Sequence, residues 1–215
     1  MFGDVHPLLR LLLDAAEGRF LPPDGEVTVL PAMPGGLECS VAFTGHGVVA
    51  TELAPDAVHA LGPDGFGGSM APDFLRAVAG PTGRVGDLDV MLTRPGTGGR
   101  PSLQPLTGSD EHPRVQYARD LRTDLRVYGD PARGLVVLAS GLAGRLELSI
   151  ELHRLPEAGN GHGRSLITDA LTLVPAGEPV FAAVSPGNAR SLRAFLAAGF
   201  IPIGSEVIVR PAREA

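Results

Sequence analysis

The sequence contains no lysine: all 18 of its basic residues are arginine. A phosphate loop of the Gly-x-x-x-x-Gly-Lys-Ser/Thr kind is therefore excluded, because it depends on the lysine ammonium to reach the outer phosphates. Cysteine is almost as scarce. The single Cys39 rules out an internal disulfide, which suits a reducing cytoplasm, and its side chain reads as a small buried hydrophobe or as a nucleophile. No run approaches the roughly twenty apolar residues that a membrane span requires. The leucines from Leu8 to Leu13 are interrupted by Arg10 and followed by Asp14 and Glu17, so they do not form a signal-peptide core. A cytoplasmic location with no membrane partner is the expectation. Nor do the arginines form a run. With a formal charge of -6 the chain is not expected to bind nucleic acid, since neutralising phosphates takes clustered cations.

What the chain has in plenty is glycine and proline, 29 and 20 residues, within a composition that is 44% apolar and 20% charged. Apolar residues recur along the whole length, so the glycines and prolines imply many turns in a globular chain. The arginine, alanine, glycine and proline usage suits a GC-rich bacterial genome. Its 215 residues suffice for one large domain or two small ones.

In chain order, residues 4 to 18 read as an amphipathic helix capped by Asp4, with Leu8, Leu12 and Ala16 on one face and Gly18 at the stop. Strands are predicted over 26–30 and 38–43, the second returning through Gly45-His46-Gly47 into 48–51 as a hairpin. His46 there is either a site residue or part of an exposed turn. Helical turns follow over 56–61 and 72–79, then a strand over 88–92. Proline and glycine are dense from Arg94 to Pro113, which reads as a linker or long surface loop. The division expected is thus 1–100, a mixed α/β region; 101–113, the linker; and 114–215, a second domain. In that second part, 114–127 reads as a helix whose arginines form a solvated face or an anion site. Strands are predicted over 135–140, 145–153, 180–184 and 206–209.

The most informative stretch runs from Glu151 to Ile167. It begins as an alternating strand, passes Gly159, Gly161 and Gly163, and enters a helical pattern. A turn so free of side chains, followed by a helix N-terminus, presents backbone N–H groups to anionic oxygens. The expected ligand is a pyrophosphate. The spacing Gly-x-Gly-x-Gly departs from the dinucleotide pattern Gly-x-Gly-x-x-Gly. A nucleotide-binding module on the same turn would lack both lysine and a magnesium carboxylate.

Along the preceding strand, alternation puts Glu147, Ser149, Glu151 and His153 on one face and Leu146, Leu148, Ile150 and Leu152 on the other. Ionisable groups in a buried row must be paired or used. The alternative is that this face meets water.

The segment Ala158-Gly-Asn-Gly161-His-Gly163 resembles the coenzyme A loop of the GNAT superfamily of acetyl-CoA-dependent N-acyltransferases, whose pattern is Arg/Gln-x-x-Gly-x-Gly/Ala. Ala158 stands where that family has a basic or amide residue. About thirty residues on, Asn188-Ala-Arg-Ser191 through Phe195 to Gly199-Phe200 is similar to the family's second signature, an asparagine opening a helix that ends in Gly-Phe. The two signatures together cover roughly residues 110 to 210.

The resemblance implies an α/β (α+β) fold with a mixed, mostly antiparallel central sheet flanked by helices. It implies acetyl-CoA as co-substrate, no metal, and an amine of a small molecule or protein as acceptor, attacking the thioester directly. Leu152 and His153 would face the pantetheine arm and acetyl carbonyl. Gly159, Asn160, Gly161, His162, Gly163, Arg164 and Ser165 would hold the pyrophosphate, and Asn188 and Ser191 the cofactor chain. Glu151 or His153, with Glu147 behind them, would serve as base. The family often has a tyrosine, the acid for the departing thiolate, where this chain has Phe195. That departure leaves room for a non-catalytic member that binds coenzyme A or acts as a sensor or partner. Homodimerisation through edge strands is left open.

Overall fold

The computed structural model describes residues 5–153 and 161–213. Its elements in chain order are α1 (Pro7–Ala16), β1 (Val27–Leu30), β2 (Glu38–Phe43), β3 (His46–Ala50), α2 (Pro55–Ala60), α3 (Pro72–Ala79) and β4 (Arg84–Pro95). Then follow β5 (Gln104–Pro105), α4 (Pro113–Arg119), β6 (Thr123–Asp130), β7 (Gly134–Ser140), β8 (Leu146–Leu152), α5 (His162–Leu171), β9 (Pro179–Val184), α6 (Ala189–Ala197) and β10 (Ile201–Arg210). Helices and strands therefore mix along the chain, as expected. No helix among the described residues is long and apolar enough to cross a membrane.

The chain forms two compact units, but the division differs from the one expected at 101–113. It falls inside β4, between Met91 and Leu92, and the residues from Ile203 onward belong with the first unit. The reason is strand pairing: β10 runs antiparallel to β2, Ile208 opposite Cys39 and Glu206 opposite Val41, so the end of the chain completes the first sheet.

In the first unit the strand order is β1-β3-β2-β10-β4. The valines on β1, β3 and β10 bury against Val58 of α2 and Phe74, Leu75 and Val78 of α3. Cys39 is fully buried, consistent with the hydrophobe reading. Helix α1 starts later than its sequence suggests. Its cap is His6, whose Nδ1 accepts the Leu8 N–H at 3.2 Å, with Pro7 in the first turn. Asp4 lies outside the described residues.

His46 is no exposed turn residue. It is buried at the start of β3, with Nδ1 2.8 Å from Asp24 Oδ1 and Nε2 2.9 Å from the Thr28 hydroxyl. The buried Glu38 is likewise satisfied, by the Thr51 hydroxyl at 2.8 Å, the Glu52 N–H at 2.9 Å and the Arg213 guanidinium.

In the second unit the order is β4-β9-β8-β7-β6-β5. The pairings β5/β6, β6/β7 and β7/β8 are antiparallel and β8/β9 is parallel. The helix expected over 114–127 stops at Arg119, and Thr123 to Asp130 form a strand instead. Leu125 and Val127, two apart, lie on one strand face and pack with Leu135 and Val137 under Val115 and Ala118 of α4. A period of two decides the conformation in a stretch whose apolar residues also fit a helix. Helix α5 buries Leu166, Ile167, Ala170 and Leu171 and packs against β7, β8 and α6.

Candidate functional site

The register of β7 with β8 sets the chemistry of the β8 faces. Ala139 lies opposite Glu147, Val137 opposite Ser149 and Leu135 opposite Glu151, so these three polar residues share the face that α4 covers. The sequence left open whether this row is used, paired or solvated. Its inner end is paired. Glu147 is buried and receives Arg122 Nε at 2.7 Å, Arg145 Nε at 2.9 Å, Arg145 Nη2 at 2.8 Å and the Leu142 N–H at 3.1 Å.

Burial alone would raise the Glu147 pKa, but the fields of Arg145 and Arg122, with these hydrogen bonds, bring it down to about 2. A carboxylate so held is a poor proton acceptor, and the reading of Glu147 as a supporting base gives way to that of an electrostatic anchor. Gly141 has no side chain because a β-carbon there would collide with the Glu147 carboxylate. Arg122 also donates to the Ser149 hydroxyl at 3.1 Å, and the Arg145 guanidinium lies 5.5 Å from the Phe181 ring centre.

The outer end of the row is looser. Glu151 meets Arg114 of α4, Nε to Oε2 at 3.4 Å, and both side chains are partly exposed. Arg114 lies 5.9 Å over the ring of Tyr117, one turn along the same helix. Arg114 and Arg122 thus turn inward from a set of arginines whose spacing equally suited a solvated face.

Beside this row the ladder is short: strand β8 pairs with β9 in parallel at a single rung, Glu147 opposite Phe181, among the described residues. Strand β7, in contrast, stays with β8 through seven rungs, from Ser140/Leu146 to Gly134/Leu152. The His153 N–H continues the β7 side by donating to the Arg133 carbonyl at 3.0 Å. In an antiparallel pair successive N–H groups point to alternate sides. Those of Glu151 and Ser149 therefore point with that of His153 toward β7, and those of Ile150 and Leu152 point toward β9. The amide of His153 is thus committed, while that of Ile150, which drew no attention in the sequence, points to the β9 side beyond the single rung. Alternation of amide direction depends on register, which the chain letters alone do not disclose.

Past β8 the glycine turn leads to α5. Gly159 and Asn160 lie outside the described residues. Gly161 is the N-cap, left-handed at φ 73° and ψ 5°, exposed, with nothing within 4 Å of where a β-carbon would stand. No side chain caps this helix, so its first amides, at His162, Gly163 and Arg164, lack the usual side-chain acceptor. Gly163 is buried: a β-carbon there would lie 3.1 Å from Ala194 of α6 and 3.6 Å from Leu152. Leu152, His153, Arg164 and Ser165 are exposed. The Ser165 hydroxyl donates to the His162 carbonyl at 3.1 Å.

Arg133, another residue the sequence did not single out, ties this helix down. Its guanidinium meets Asp130 and Asp169, each at 2.7 Å, and the Ser165 hydroxyl at 3.2 Å. Asn188, expected to hold the cofactor chain, caps α6 here, its side-chain oxygen accepting the Ser191 N–H at 3.1 Å. Phe195 is buried edge-on against Phe200, ring centres 5.0 Å apart. A separate cavity of about 520 Å³, lined by Asp124, Arg126, Ser140, Leu146 and Glu178 among others, opens where β8 begins, away from Glu151.

No protein-family model matches the chain, and no curated protein does. Among solved structures it is similar to an acetyltransferase of the GNAT family from Colwellia psychrerythraea, at 12% identity and a TM-score of 0.36, over 60% of this chain and 57% of that one. A putative GNAT-family acetyltransferase from Novosphingobium aromaticivorans gives 16% identity and a TM-score of 0.41, over 63% and 70%. A GCN5-related N-acetyltransferase from Kribbella flavida gives 11% identity and a TM-score of 0.38, over 61% of each chain.

Proposed function

We propose that the protein is an N-acetyltransferase that moves an acetyl group from acetyl-CoA to an amine. The observation that carries this reading is the single rung joining β8 to β9, at Glu147 and Phe181, together with the exposed Gly161 start of α5, which no side chain caps. An extended arm laid against β8 would find the Ile150 and Leu152 amides unclaimed by β7, and its diphosphate would meet the amides of His162, Gly163 and Arg164. The two ordered signatures in the sequence support the same assignment.

Each residue then has a defined task. The acceptor nitrogen attacks the thioester carbonyl, whose oxygen gains charge and is met by the Ile150 N–H, a fixed dipole. Glu151, directly or through a water, takes the proton that the amine must lose; His153, exposed at the end of β8, is the other group placed to do so. The carbon–sulfur bond breaks and the thiolate leaves, protonated by solvent. Glu147, Arg122 and Arg145 do not touch substrate but fix the floor on which Ser149 and Glu151 stand.

A second reading, a protein that binds coenzyme A without turning it over, is favoured by Phe195, which puts a buried ring where a hydroxyl would serve as acid. Titration calorimetry with acetyl-CoA, followed by thiol release with a broad amine panel, separates the readings. Saturable binding with turnover is expected. Binding without turnover of any amine would favour the second reading, and no binding at millimolar concentration would remove both.

A further inference from the structure

We propose that the acceptor carries a carboxylate beside its amine, so that its ammonium meets Glu151 while its carboxylate meets Arg114; this rests on the N-acetyltransferase reading above. The Glu151–Arg114 contact differs from the other ion pairs of its face. Around Glu147 the arginine nitrogens stand 2.7 to 2.9 Å from the carboxylate, with Arg145 buried and the Arg122 side chain only 9% exposed. Arg114 approaches Glu151 through Nε alone at 3.4 Å, at the open end of the row, with a third of its side chain and rather more of Glu151 exposed.

Among the described residues, the Arg114 guanidinium donates its one hydrogen bond through Nε, and Nη1 and Nη2 donate none. These two nitrogens are the edge of a guanidinium that takes a carboxylate in two parallel bonds. The half-exposed Tyr117 ring beneath Arg114 limits where the guanidinium can swing and offers an apolar wall to the acceptor's carbon chain.

A free amine alone would have to separate Glu151 from Arg114 and leave the guanidinium without an anion. An amino acid replaces one internal ion pair with two external ones, conserving charge balance at the site. Arg122 and Arg145 are committed to Glu147 and Ser149 and do not compete for the acceptor.

The test compares acceptors that differ only in the carboxylate: glycine with methylamine, L-alanine with ethylamine and 4-aminobutyrate with propylamine. Thiol release at saturating acetyl-CoA gives kcat/KM for each, referred to the free-amine fraction. At least one pair is expected to favour the carboxylate-bearing member by about tenfold or more, the factor that one charge-assisted contact of about 1.4 kcal/mol supplies. In Arg114→Gln that preference should shrink to about threefold or less, a residue of general electrostatics, while Arg114→Lys should retain part of it.

Amines acetylated with no preference for the carboxylate in any pair would overturn the inference and leave the N-acetyltransferase reading intact. So would a preference unaltered by Arg114→Gln. If calorimetry shows acetyl-CoA bound and no acceptor of either kind reacts, the transferase reading and this inference fall together. The comparison within the unaltered protein decides the matter even if the variants fail to fold.

Discussion

Glu147 and Glu151 are four residues apart on one strand face, and their surroundings assign them opposite work. Glu147 is enclosed by Arg122, Arg145 and the Leu142 amide, and Glu151 shares one long contact with Arg114. Because the folded-state pKa of Glu147 lies near 2, below the ordinary 4.5, folding favours its ionised form. That contribution is complete above the ordinary value and disappears as pH falls through the folded one. The shift corresponds to a stabilisation on the order of 3 kcal/mol relative to the protonated carboxyl. Urea unfolding as a function of pH should show the stability gap between the native protein and Glu147→Gln closing as pH drops below 4.5. Parallel curves would mean that Glu147 titrates alike in both states.

At this scale the sequence was legible in part. That the 147–153 row is polar could be read from alternation, and Arg145 stands two positions from Glu147, but the pairing is completed by Arg122, which only folding brings to it. His46 was misjudged for the same reason: its partners Asp24 and Thr28 precede it by 22 and 18 positions.

At the level of elements, β8 and α5 matter most, and their relative placement rests on a residue belonging to neither. Arg133, in the turn between β6 and β7, receives the His153 amide on its carbonyl and links Asp130 to Ser165 and Asp169 of α5 through its guanidinium. This half-sequestered network anchors the turn of helix that presents the Gly163 and Arg164 amides. Arg133→Met should lower stability by about 1 kcal/mol in urea unfolding, more than an exposed pair and less than a buried one. It should also weaken acetyl-CoA binding through the loosened α5. Unchanged stability and affinity would show that α5 is held by its apolar face alone.

Strands β7 and β8 and helices α5 and α6 could be located from periodicity and glycine stops, because their patterns are long and uninterrupted. The segment 114–127 could not: a short helix passes into a strand within four residues, and apolar positions compatible with both periods mask the change. Its boundary is set by the pairing of β6 with β7, a contact made across the intervening turn.

For the whole molecule, the sequence suggested two successive parts separated at a proline-rich stretch, whereas β10 carries the chain back to β2. Arg213, just beyond that strand, meets the buried Glu38 and the Val78 carbonyl. A returning strand leaves no trace in local composition, so it could not be read before the pairing was known. The proposed acetyl-CoA site rests on one property of the second unit, the single rung between β8 and β9 beside a helix start that no side chain caps. A crystal structure with acetyl-CoA bound measures it directly. The expected result is the pantetheine arm along β8 with the acetyl oxygen within hydrogen-bonding distance of the Ile150 N–H, and the diphosphate on the amides that follow Gly161. Strands β8 and β9 joined along their full length, or acetyl-CoA lying elsewhere with Gly161 covered by protein, would contradict it.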